Sequence, residues 1–325
     1  MTVGTPSEHA TSRPEAIKAI PLRHPWRWVF AVLVLAAAAS VLYTFATAPG
    51  LDWRAVGQYL FFPSILRGIL VTLALTVVAM VIGVSLGILL AVMRLSVNPV
   101  VSTVSWFYIW FFRGTPVLVQ IFFWFNLALI LPYLKLGIPF THLQWVGQTN
   151  QIDSPFIAAM LGLGLNEAAY MSEIVRAGII SVDQGQTEAA QALGMTRPRV
   201  MRRIVLPQAM RVILPPTGNE TISMLKTSSL ASIATVGELF YVQGQISNAT
   251  YDIVELLVVA SIWYLLMTSI LTFGQFYLER YFARGSSRML PLTPLQRFRR
   301  LFFHAHITTP LDVAEPASIF PRQTP

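Results

Sequence analysis

Long apolar stretches alternate along this chain with short polar ones, and that alternation leaves few folds open. The run from Trp28 to Ala48 is about 20 residues long, enough for a helix to cross a bilayer once. It lies too far from the N-terminus, and is too long, to be the apolar part of a cleaved leader. A second run extends from about Ile65 to Met93, interrupted only by Gly83 and Gly87, whose spacing makes a narrow face on which another helix of the same subunit can pack closely. A third follows Arg113-Gly114-Thr115-Pro116 and continues through VLVQIFFWFNLALIL, and the last spans about Ile253 to Phe276. Two further segments, about Phe156 to Ser181 and about Thr217 to Tyr241, are long enough to cross but carry unusual polar loads. Composition agrees: 54% of residues are hydrophobic and 12% charged, too little charge for the surface of a soluble domain. The expectation is an all-α integral membrane protein with six transmembrane helices.

Between these spans the chain changes character. Residues 1–26 are rich in Thr, Ser, Pro and charge, and read as a cytosolic tail; residues 285–325 read as a second, basic and Pro-rich one. Ser96 to Phe112 reads as an aromatic connection lying in the membrane interface, opened by a turn at Asn98-Pro99. Pro132 to Pro155 reads as an extramembrane loop with little structure of its own. The net charge of +8 reports topology rather than a nucleic-acid partner, because the arginines cluster on one side of the spans. With Arg94, the run from Arg197 to Arg211 and both tails inside, only Arg54 and Lys135 fall in outer loops, so both termini are expected in the cytosol of a multi-pass protein. His304 and His306, two apart in the tail, lack the further ligands that a metal site needs.

The fourth segment places Asn166, Tyr170 and Glu173 on one side of a helix, with Glu167 and Arg176 flanking it on opposite sides. Glu173 and Arg176, three residues apart, can pair along it. In the fifth segment Asn219, Ser223 and Lys226 share one face, and Glu220 and Thr227 the adjacent one. Ionisable groups in such segments mark either a watery pathway or contacts that hold helices together, and both readings stand for these residues. The sixth span reads as peripheral scaffold.

Enzymatic chemistry finds little support. The chain has no Gly-x-x-x-x-Gly-Lys phosphate cradle, no Gly-x-Ser-x-Gly and no His-Glu-x-x-His, and with zero cysteines it can build neither a thiolate metal site nor a Cys nucleophile. A polar path with no nucleotide site of its own, plus a water-exposed element, is the pattern of transport machinery. That element is EAAQALGMTRPRVMRRIVLP, Glu188 to Pro207. Glu188-Ala189-Ala190 starts a short helix that Gly194 ends in a left-handed cap, and Thr196 caps a second helix whose first turn tolerates Pro198. The small alanines would let the first helix enter a groove on another protein, with Glu188 and Gln191 free for polar contacts; an ordinary interfacial loop is the alternative.

Glu188-Ala189-Ala190, Gly194, Ile204, Leu206 and Pro207 match the full spacing EAA-x3-G-x9-I-x-LP, and the chain thereby resembles the membrane subunits of bacterial ABC importers. FRGTPVLVQ at Phe112 to Gln120, AAYMSEIVRAGI at Ala168 to Ile179 and LPQAMRVILPPTGNE at Leu206 to Glu220 are similar to the polar amino acid permease branch. The resemblance covers residues 65–284 and leaves residues 27–48 as an extra first helix. It departs at Lys226-Thr227-Ser228, where the family often has an acidic or amide residue after the lysine, and at Glu167, where a small residue is common. The resemblance implies a core of five helices of the type I permease fold, with a coupling helix at about 187–203. It implies docking of Glu188, Ala189, Ala190, Gln191, Gly194, Leu206 and Pro207 on a separate cytosolic ATPase. ATP and magnesium would belong to that ATPase, and this chain would hold no cofactor. A second permease copy or paralogue and an extracytoplasmic amino-acid-binding protein complete the implied assembly in the bacterial inner membrane. The substrate would be a polar amino acid of the glutamate, glutamine, arginine or histidine class, with Asn166, Glu167, Tyr170, Glu173, Asn219, Glu220, Ser223 and Lys226 as candidates for its path. An ion-coupled carrier is the competing reading, but it should contain an inverted repeat, and none is evident; a membrane sensor would need an output domain that neither tail is long enough to supply.

Overall fold

The computed structural model describes residues 25–137, 144–149 and 154–282. Residues 1–24 of the first tail and the whole of the second lie outside these residues, as do His304, His306 and the arginines from Arg284 onward; Pro25 and Trp26, expected in the tail, begin the first helix. The chain divides after Asp52 into two units. The first holds helix α1, Pro25–Ala46, apolar on every side, as a helix bathed in lipid must be.

The second unit is a helical bundle. It begins with α2, Trp53–Leu60, and α3, Pro63–Arg94, the latter started by a proline whose missing N–H costs nothing in the first turn. The stretch expected as an interfacial connection is a regular helix, α4, Pro99–Gly114, because Asn98 Oδ1 accepts the Val100 N–H at 2.9 Å and Pro99 presets the first turn. Pro116 then breaks the path, and α5, Val117–Phe125, and α6, Leu127–Ile130, follow. The described part of the stretch expected as an outer loop adds a small strand element to the all-helical expectation. β1, Tyr133–Gly137, pairs antiparallel with β2, Gln144–Gln148, in the register Lys135 opposite Val146. Beyond it, Ser154 and Pro155 start α7, Pro155–Ile180, with Ser154 Oγ accepting the Ile157 N–H.

After α7 come α8, Gln184–Ala192, and α9, Arg197–Val200, then a π turn over Met201–Val205 that runs directly into α10, Leu206–Thr227. α8 starts four residues before Glu188, because the Asp183 carboxylate accepts the Gly185 N–H at 2.7 Å. α10 differs from the expected fifth span at both ends. Pro215 and Pro216 lie inside it rather than before it, and it gives way at Ser228 to a 3-10 turn, Ser228–Ala234. A further helix, α11, Leu239–Thr250, is capped by Glu238, and α12, Ile253–Phe282, closes the bundle.

α3 packs along α7. A β-carbon at Gly83 would collide with the Glu167 side chain, and one at Gly87 would stand 2.6 Å from Met171 Cβ, so both glycines serve a close approach within this chain. One core cluster joins Leu75 and Ala79 of α3, Ile121 of α5, Leu163 of α7, Met224 of α10 and Ala231 of the 3-10 turn. A second, on the Arg94 side, joins Ala91, Met171, Val175, Ala209 and Ile213. By length and composition three of the described helices can cross a membrane: Trp28–Ala46, Pro63–Arg94 and Ile253–Phe282. α7 and α10 are not among them, because of the polar side chains that drew attention in the sequence.

Candidate coupling segment and polar seam

The elbow formed by α8 and α9 stands on a miniature core of its own. Ala190 is buried against Val200 and Val205, with Ile179, Val182, Met195 and Ile204 around them. Ala190 therefore faces inward, and the alanines of this motif do not act alike. Glu188, Ala189, Gln191 and Gly194 are exposed. Gly194 has φ +78°, the left-handed conformation expected of it, and Met195 N–H reaches back to Ala190 O at 3.1 Å. Leu206 and Pro207, at the start of α10, are also exposed. Leu193, 84% exposed beside the glycine, is a surface residue the motif does not include; a large apolar side chain just past the end of a polar helix was its one signal.

Inside the bundle the polar residues of α7 divide into two sets. Asn166, Tyr170 and Glu173 face α4. Asn166 Nδ2 donates to Phe112 O at 2.8 Å, and Gln120 Nε2 donates to the same oxygen at 3.0 Å. Pro116 has no N–H to give the carbonyl four residues before it, so Asn166 satisfies an acceptor that the helix break leaves open. Tyr170 lies under the Arg113 guanidinium, 5.1 Å from ring centroid to Cζ, and Glu173 pairs with Arg176 at 2.6 Å. Tyr108, on α4, donates to Leu165 O at 2.9 Å and ties the two helices again.

Glu167 faces the other way, toward α3 and α10. It is 4% exposed, and its Oε1 has no hydrogen-bond partner. Its charge interacts with that of Glu220 on α10, and among the described residues neither carboxylate has a basic partner. On α10, Asn219, Ser223 and Lys226 are all exposed along one face, while Glu220 and Thr227 are half-buried beside it. Asn219 Oδ1 accepts from Gln275 of α12 at 3.0 Å, a tie between helices that the periodicity of α10 alone could not disclose. The Lys226 ammonium has no partner among the described residues.

Sequence reasoning missed Glu238. Its carboxylate, fully buried, accepts the Phe240 and Tyr241 N–H groups at 2.8 and 2.6 Å and the Tyr264 hydroxyl at 3.0 Å, knotting the start of α11 to α12. Trp263 Nε1–H, donating to Leu60 O at 2.8 Å, adds a tie from α12 to the end of α2. Glu238 was hidden because it fell inside the segment Thr217 to Tyr241, expected as one continuous span, in which Asn219, Glu220 and Lys226 drew the attention.

Membrane-length helices, an internal polar seam and a braced polar elbow outside it define a membrane transport subunit. The chain matches the family described as binding-protein-dependent transport system inner membrane component over residues 83–284, and it belongs to that family. It is 47% identical to the arginine transport system permease protein ArgU of Corynebacterium glutamicum, over 86% of this chain and 88% of that one. It is 40% identical to the nopaline transport system permease protein NocM of Agrobacterium fabrum, over 65% of this chain and 84% of that one. A crystal structure of an amino acid ABC transporter with histidines superposes with a TM-score of 0.61 at 34% identity, over 71% of this chain and 99% of its own. The protein is thus a multi-pass inner membrane permease component and not itself the ATPase; its family implies an ATPase and a substrate-binding protein as partners. Membership also sets aside the ion-coupled carrier.

Proposed function

We propose that this permease imports amino acids with a cationic side chain, the guanidinium class foremost, and that it is driven through the α8–α9 elbow. The observation that carries the substrate reading is the pair Glu167 and Glu220: two carboxylates across the α7–α10 seam, without a basic partner among the described residues. A cation passing the seam supplies the missing charge, and Lys226 on the neighbouring face is free to meet a substrate carboxylate. Arginine and nopaline, named for two relatives, both carry a guanidinium. We further propose six membrane crossings with both termini cytosolic, α4 to α6 forming one broken crossing and α7 and α10 two more. The exposed polar face of α10, unsuited to lipid, then meets a second permease copy or paralogue across a watery path. Closure of the ATPases would draw the elbows together and rock the bundles between two openings.

Reconstitution with the partner ATPase and binding protein tests this. Labelled arginine should accumulate only with ATP and the binding protein, and excess lysine or arginine should compete better than glutamate. Glu188→Lys should stop uptake and ATPase co-purification while leaving the permease folded in the membrane. Equal competition by glutamate would overturn the substrate class, and undiminished ATPase capture by the variant would overturn the docking role.

A further inference from the structure

A cleft between α3, α4 and α7, which includes Tyr170 and Glu173 of the path candidates, has a chemistry different from that of the Glu167–Glu220 seam. It encloses about 490 Å³ and is lined by Arg94, Trp106, Trp110, Arg113, Tyr170 and Glu173. Its one carboxylate, Glu173, is already paired with Arg176 at 2.6 Å. Arg94 donates to Ser102 Oγ at 2.9 Å and Arg113 rests on Tyr170, yet neither has a carboxylate partner among the described residues. The cleft therefore holds two guanidiniums without a paired carboxylate among the described residues.

Its rim is apolar. Trp106, Phe107, Trp110 and Phe111 are all strongly exposed on the outer side of α4, and Trp106 also borders a recess of about 520 Å³ formed with Val100, Thr103, Val104 and Phe107. A water-filled vestibule would be edged with polar groups, as the exposed face of α10 is. Here the positive charge sits behind an aromatic edge, which suits a molecule that is anionic at one end and hydrocarbon at the other. The level in the bundle agrees. Arg94 ends the long apolar α3 on the side where Ala91 packs with Val175 and Ile213, next to the elbow, so the cleft opens at one membrane boundary.

We propose that this cleft binds an anionic phospholipid, its headgroup phosphate held by Arg94 and Arg113 and an acyl chain lying in the recess along α4. Guanidiniums give a phosphate paired, charge-assisted hydrogen bonds that a zwitterionic headgroup weakens with its own ammonium. Trp106 and Trp110, stacked at 6.3 Å, would flank the glycerol region.

The tryptophans allow a direct test on the purified permease–ATPase complex. Phosphatidylglycerol brominated on its acyl chains should quench tryptophan fluorescence at about tenfold lower mole fraction than brominated phosphatidylcholine. Trp106→Phe should remove part of that quenching, and the double variant Arg94→Gln/Arg113→Gln should abolish the preference between the two lipids. Native mass spectra of the wild-type complex should retain phosphatidylglycerol over phosphatidylcholine, a comparison that does not depend on any variant folding. Equal quenching and equal retention of both lipids by the wild type would overturn the proposal. So would displacement of the lipid by millimolar glycerol phosphate or inorganic phosphate, which would make the cleft a soluble-anion site, or by the transported amino acid, which would make it part of the path. A preference unchanged in a folded double variant would overturn the assignment to these arginines.

Discussion

Single residues in this permease divide by whether their polar groups are satisfied. Asn166 has one clear task, the Phe112 carbonyl that Pro116 leaves open, and Gln120 shares it. Asn166→Leu is expected to cost about 1 kcal/mol, because Gln120 remains, and to lower the melting temperature of the purified protein by a few degrees with transport specificity unchanged. Glu167 is the opposite case, a buried carboxylate with an unpartnered oxygen, under the electrostatic influence of the Glu220 carboxylate. Removing its charge relieves repulsion, so Glu167→Gln should leave thermal stability equal or higher while arginine uptake falls at least about tenfold, the loss of one charge-assisted contact. A collapse in stability with residual uptake intact would assign Glu167 to holding helices together instead. The spacing of the sequence put Asn166 and Glu167 on one polar helix; it could not tell the satisfied group from the unsatisfied one, since that depends on which neighbour each meets.

Among the elements, the elbow shows how a short helix is held rigid outside a bundle. α8 is too short to be stable alone, and it is braced by Ala190 packing on Val200 and Val205 and by the left-handed turn at Gly194. A larger side chain at 190 has nowhere to go. Ala190→Leu should cost about 1–3 kcal/mol locally, tilt α8 away from α9 and lower ATPase co-purification, while the main melting transition of the bundle stays in place. Ala189→Leu, on the exposed surface, should leave the elbow folded, so any loss of ATPase capture there reports contact rather than packing. α4 and α5 form the other informative element pair. Their aromatic sequence specified no secondary structure by itself, and the Asn98 cap and Pro99 start a helix that Pro116 ends, so local capping chemistry set the element's bounds.

For the whole molecule, the arginine distribution and the proposed six crossings make a topological statement that the chain is well suited to test, because it contains no cysteine. Single cysteines introduced as Ala192→Cys and Asp52→Cys should be labelled by an impermeant maleimide from opposite sides of intact cells, with 192 reached only after permeabilisation; labelling of both from one side would refute the arrangement. Membrane character, the positions of the main helices and the exposed elbow were legible in the linear chain, because apolar length, proline and glycine act locally and leave their mark at fixed spacing. The burial of Glu167 without a basic partner among the described residues, the burial of Ala190 amid its exposed neighbours, the Glu238 knot and the arginine cleft behind α4 were decided only by the tertiary structure. Each depends on which residues the fold brings against one another, and periodicity can say which face of a helix a side chain occupies but not what stands opposite that face.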